Sequence, residues 1–142
     1  WKACVHVYPN TSKKVLYYFN GLGGDEKTWR NSPFEKAIMK RWIDSGVQPP
    51  VVVTISYQAY LLHKMIWFMV EKNSSRFSGR FEKVTGEIMP FLRQNFSQVR
   101  DAEENLLMGV SMGGFNASQL YFKYPIFAKA ALICVPASIT EP

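Results

Sequence analysis

This chain has little with which to build a cross-linked, metal-bound or membrane-spanning protein. Its two cysteines, Cys4 and Cys134, are too few for a disulfide framework or a thiolate metal site. Both sit in apolar, strand-like runs, which predicts two buried thiols and leaves the redox compartment open. The longest apolar stretch, residues 60–70, is broken by His63 and Lys64 and is too short to cross a bilayer. Basic residues outnumber acidic ones by 17 to 11, yet only Lys13-Lys14 and Lys40-Arg41 are adjacent, and no basic stripe is interleaved with aromatics. The net charge of +6 therefore reads as solvated surface, and nucleic-acid binding is not expected. Trp1 opens the chain with no initiator methionine, charged start or signal-like apolar run, so the natural N-terminus and any targeting segment are expected to have been removed. These features do not indicate a compartment.

What is present describes a globular protein. Hydrophobic residues make up 47% of the chain and charged residues 20%, and 142 residues suffice for one domain with a substantial core. Residues 3–8 alternate apolar and polar before Pro9-Asn10, the pattern of an edge strand. Continuous apolar runs at 15–19, 51–57, 106–110 and 130–135 predict further strands. Between them, Phe34, Ala37, Ile38, Trp42 and Ile43 recur at helical spacing, with Asp25 and Pro33 as start signals and Gly46 as a stop. A second helix is predicted over 81–96, with Val84, Ile88, Phe91, Leu92 and Phe96 on one face, and a third from Phe115 to Tyr124. Residues 58–77 read equally as a short helix or as a mobile segment lining a pocket. Strands alternating with helices, and apolar at nearly every position, predict an α/β fold: a three-layer parallel sheet covered on both faces, in a single domain spanning 1–142.

The motif with chemical content is Gly109-Val110-Ser111-Met112-Gly113-Gly114, between the run 106–110 and the third helix. A serine at a tight strand-to-helix turn holds its hydroxyl clear of the sheet, at the positive end of the following helix. Glycines two before and two after it are required because side chains there would collide with the neighbouring strand and helix. A phosphate-binding turn of a dinucleotide-binding domain is the bland alternative, but its glycines have another spacing and usually follow the first strand. A second glycine-rich strand end, Asn20-Gly21-Leu22-Gly23-Gly24, follows the run 15–19.

Together these two loops resemble the α/β-hydrolase serine esterases. Tyr17-Tyr18-Phe19-Asn20-Gly21-Leu22-Gly23-Gly24, with Asp25-Glu26 and Trp29 after it, is similar to their oxyanion-hole loop, and the segment around Ser111 to their nucleophile elbow. The Gly-Leu pair and Ser-Met-Gly-Gly resemble in particular the esterase D group of S-formylglutathione hydrolases, feruloyl esterases and antigen 85-type acyltransferases. Glu87-Ile88-Met89-Pro90 is similar to the helix before their nucleophile strand. The resemblance spans residues 14–138. It implies that Ser111 is the nucleophile and that the backbone N–H groups of Leu22 and Met112 form the oxyanion hole. Gly21 and Tyr57 would contact a small-molecule ester or thioester. No metal or organic cofactor is implied, because acyl transfer needs only a nucleophile, a base and donors.

The family order is serine, acid, histidine, and here neither histidine nor aspartate follows Ser111; Glu141 is the only acid there. His6 lies in the edge strand and reads as structural. His63 is better situated, but a lone histidine beside Leu61-Leu62 is more often a partly buried bystander. The run 130–135 is apolar throughout, as in a strand covered on both faces, and as an open edge it would invite aggregation. The expectation is therefore a hydrolase domain that is C-terminally incomplete, with its acid and histidine beyond residue 142 and a further segment or partner chain over strand 130–135. The alternative is a catalytically incomplete domain of the same fold that serves as a binding or scaffold unit.

Overall fold

The computed structural model describes residues 2–56 and 82–135. Its strands are β1 (Lys2–His6), β2 (Lys14–Phe19), β3 (Val51–Ser56), β4 (Glu104–Val110) and β5 (Lys129–Ile133), joined in one sheet in the order β1-β3-β2-β4-β5. β2 pairs in parallel with β3 and β4, and β4 with β5. β1 is the exception, running antiparallel to β3 with Cys4 opposite Thr54. The sheet is thus mixed rather than wholly parallel as expected. Alternation marks a strand but carries no direction, so its polarity is set by the connection through Asn10, which adopts a left-handed φ of 57°.

Successive side chains of β2 point to opposite faces, and the core divides accordingly. Val15, Tyr17 and Phe19 pack with Val84, Met89, Leu92, Val99, Ala117 and Leu120 on one face. Leu16 and Tyr18 pack with Trp29, Met39, Val52 and Met108 on the other. The second face is covered by α1 (Thr28–Asn31) and α2 (Pro33–Asp44), the first by α3 (Met89–Asn95), α4 (Ser97–Arg100) and α5 (Met112–Lys123). Three layers result, as the continuous apolar strands imply. No helix among the described residues is long and apolar enough to cross a membrane.

Local differences from expectation have physical causes. Ser32, not Asp25, caps α2, accepting from the N–H of Phe34 at 3.3 Å, while Asp25 accepts from the N–H of Lys27 at 2.8 Å within the preceding turn. Before α3 the chain forms a π-helical turn, Val84–Ile88. Its wider turn shifts the phase of everything after it. Val84 and Leu92 are buried as expected, with Ile88 and Phe96 packed against the core, but Met89 is buried as well and Phe91, expected on the core face, is 60% exposed. Neither cysteine is buried: Cys4 is half-buried, Cys134 is exposed, and both are free. β5 lies at an edge of the described sheet, with Lys129, Ala131 and Leu132 exposed, so the described residues do not supply the two-sided cover expected of that run.

Candidate active site

β2 lies between β3 and β4, and the connections leaving β2 and β4 go to opposite faces. The chain after β2 enters α1 and α2; the chain after β4 enters α5. Where neighbouring parallel strands send their connections apart, a crevice opens at their C-terminal ends, which is where open α/β sheets bind ligands. The two glycine-rich segments singled out in the sequence meet there.

Ser111 is the turn residue between β4 and α5, with φ 54° and ψ −121°. These angles approximate the first central position of a type II′ turn, a region dominated by glycine. A serine held there stores about 1–3 kcal/mol of backbone strain. Hydrogen bonds on both sides hold it: its N–H donates to the Ile133 carbonyl at 2.8 Å, and its carbonyl accepts from the N–H of Phe115 at 3.1 Å. The Ser111 hydroxyl does not cap α5, and among the described residues it makes no hydrogen bond.

Two glycines seat the turn. A Cβ at Gly109 would lie 2.2 Å from the carbonyl oxygen of Gly113, and one at Gly113 would lie 2.1 Å from that of Phe19. Both obstacles are backbone, so neither can swing aside. This is the collision the motif encodes, and it brings the first turn of α5 onto the ends of β4 and β2.

The loop after β2 completes the crevice. A Cβ built on Gly21 would sit 3.4 Å from Cβ of Ser111 and 3.3 Å from the Val110 carbonyl, so the loop backbone lies directly against the turn. The N–H of Gly24 donates to the Gly21 carbonyl at 3.1 Å, and Gly23 takes a φ of 82°. Leu22, at the tip, is 55% exposed, whereas Met112, the first residue of α5, is buried. The initial N–H groups of α5 have no acceptor within the helix, and no acidic side chain occupies its first turn. That end therefore carries the partial positive charge of the helix dipole toward the crevice.

Gly21, Leu22, Ser111 and Met112 thus come together. Tyr57, expected to contact substrate, lies outside the described residues, as do His63 and Glu141. His6 is remote: β1 and β4 are separated by β3 and β2, three strand spacings or about 14 Å. Its Nε2 lies 3.1 Å from Oγ1 of Thr54. The ring is a structural one, as its strand suggested. Burial and, secondarily, the Arg30 charge hold its pKa below the usual histidine value, against a smaller opposing contribution from the Glu26 backbone. Thr54 was not singled out in the sequence, although it is the one polar side chain within the run Val51–Ile55, and its hydroxyl also donates to the backbone carbonyl of Glu26.

Among curated proteins, none matches the chain at a significant level. The family model described as "Putative esterase" matches residues 1–137 and so encloses every described strand, both glycine-rich segments and Ser111. The chain belongs to the esterase family.

Proposed function

We propose that the chain is the nucleophile-bearing part of a serine hydrolase that cleaves small-molecule esters or thioesters through an acyl-Ser111 intermediate. The observation that carries this reading is the strained Ser111 backbone, seated by Gly109 and Gly113 at the N-terminus of α5 with the Gly21 backbone against it. Oγ of Ser111 attacks the substrate carbonyl carbon as a base removes its proton. Negative charge gathers on the carbonyl oxygen and is stabilised by the backbone N–H groups of Met112 and Leu22. Fixed amide donors need no reorganisation, and loss of one typically costs about 10² to 10³ in rate. Collapse of the tetrahedral intermediate expels the alcohol or thiol, which takes the proton from the base, and water then releases the acid from Ser111. The motifs favour an esterase D-like enzyme of the α/β-hydrolase type.

The base and its supporting acid belong, in this reading, to residues outside 1–142, in a further segment or a partner chain along strand 130–135. Support comes from His6, too far away to reach Ser111, and from the apolar, exposed β5 edge beside the elbow. Intact-protein mass spectrometry after exposure to a fluorophosphonate tests the nucleophile, on the chain together with the segment or partner that carries the base. A single adduct that disappears in Ser111→Ala is the expected result. An adduct retained by that variant, or none on the folded protein with the base-bearing segment present, refutes an activated Ser111, and the second outcome favours a domain of the same fold that only binds.

A further inference from the structure

The loop that lies against Ser111 is tied down a second time, two strands away. Glu26, in the same loop, gives its backbone carbonyl to the Thr54 hydroxyl on β3. Thr54 is fully buried, and Nε2 of His6 on β1 sits 3.1 Å from the same hydroxyl. A threonine hydroxyl has one proton to donate. The Cys4 carbonyl, 3.5 Å away, is the more distant competitor for it. With that proton directed to Glu26, the oxygen is an acceptor toward His6, and the imidazole must carry its hydrogen on Nε2. The bonds form one directed chain, His6 to Thr54 to Glu26, in which each polarises the next.

Between Glu26 and the elbow the loop is short and internally braced. The N–H of Asp25 donates to Oγ1 of Thr28 at 2.8 Å, Asn20 donates through Nδ2 to the Gly21 carbonyl at 2.8 Å, and Gly24 closes the turn on Gly21. A displacement at Glu26 is therefore passed to Gly21 and Leu22 rather than absorbed. We infer that His6 and Thr54 are positioning residues for the Ser111 site, anchoring the loop after β2 at Glu26 so that its other end stays against the elbow. The inference rests on the reading of Ser111 as a nucleophile, and it gives a role to a histidine that cannot reach the reacting atoms.

The test compares Thr54→Val, which keeps the shape and removes both bonds, with Thr54→Ser, which keeps the hydroxyl. His6→Phe is a third variant that removes only the first donor. Two quantities are read: amide hydrogen exchange over residues 20–26 on the 142-residue chain, and the rate of Ser111 phosphonylation by a fluorophosphonate on that chain together with the segment that carries the base. Loss of a hydrogen bond of ordinary worth predicts exchange about tenfold faster in Thr54→Val. The β2 and β4 amides should be unchanged, phosphonylation should slow by at least about tenfold, and Thr54→Ser should restore both. His6→Phe should move both in the same direction by less. Unchanged exchange over 20–26 in Thr54→Val and His6→Phe overturns the anchor. Equal slowing in Thr54→Val and Thr54→Ser also overturns it, because serine keeps the hydroxyl and its loss could not then be the cause. If the parent protein takes up no phosphonate with that segment present, the nucleophile reading fails, and the exchange arm alone decides the anchor.

Discussion

Replacing Ser111 by glycine should make the protein more stable while removing the proposed nucleophile. At φ 54° and ψ −121° the serine sits where glycine is at ease, so the substitution releases about 1–3 kcal/mol of strain. Against that stands the greater freedom of a glycine in the unfolded chain, worth about 0.4–1 kcal/mol. The hydroxyl makes no hydrogen bond among the described residues and does not cap α5, so its loss adds little. The net expectation is a gain of about 0.5–2 kcal/mol. Alanine keeps the Cβ and hence the strain, and should leave stability within about 0.5 kcal/mol of the parent. Urea denaturation of the three proteins separates the two outcomes. With a slope of about 1–3 kcal/mol per molar, a gain of 1 kcal/mol raises the midpoint by roughly 0.3–1 M at constant slope. A glycine variant no more stable than the alanine variant would refute the strain, and with it the strongest structural argument for Ser111.

The seat of the turn predicts the opposite sign. Gly113→Ala forces a Cβ to within 2.1 Å of the Phe19 carbonyl and should destabilise by about 3 kcal/mol or more, whereas Gly86→Ala, with nothing within 4 Å in a helical turn, should stabilise by about 0.5–1 kcal/mol in the same assay. Tyr17 has a buried hydroxyl with no hydrogen-bond partner among the described residues, and burial, offset only in part by Arg93, pushes its pKa up to about 12. Tyr17→Phe should therefore gain about 1 kcal/mol, read as a thermal midpoint a few degrees higher; a loss would mean that the hydroxyl is satisfied. His6 faces Thr54 and the Glu26 backbone, with Arg30 nearby, and its folded pKa lies below the unfolded value of about 6.5. The unfolded chain binds the proton first, so the stability linked to His6 is complete above pH ~6.5, declines as pH falls below it, and levels off beneath the folded pKa. Thermal midpoints of the parent and His6→Phe should converge over that interval, and parallel curves would exclude the linkage.

How much of this was legible in the sequence depended on the range over which each feature is determined. The central residues of β2, β3 and β4 are buried on both faces, so a largely apolar run identifies each of them. The elbow was legible because Gly109 and Gly113 mark collisions only a few residues from Ser111. The core face of the helix after residue 81 was legible at Val84, Ile88, Leu92 and Phe96, and only Phe91 was misplaced, because counting at 3.6 residues per turn does not anticipate the π-helical turn at Val84–Ile88. The antiparallel course of β1 and the His6–Thr54–Glu26 chain depend on register between segments 48 residues apart, and no local pattern carries that information. The exposure of β5 follows from its neighbours, not its composition. Its residues describe a strand with cover, and the described residues give it a partner on one side only.

The unequal standing of Ser111 and the glycines around it has a consequence for descent. Folding demands Gly109 and Gly113 whether or not the turn performs chemistry, while position 111 costs stability for as long as it holds a side chain. When selection for catalysis lapses, drift should empty position 111 first and leave its frame intact. Relatives that have abandoned catalysis should then be recognisable by the two glycines at unchanged spacing with a third glycine between them: a fossil of the active site that is more stable than the enzyme it came from.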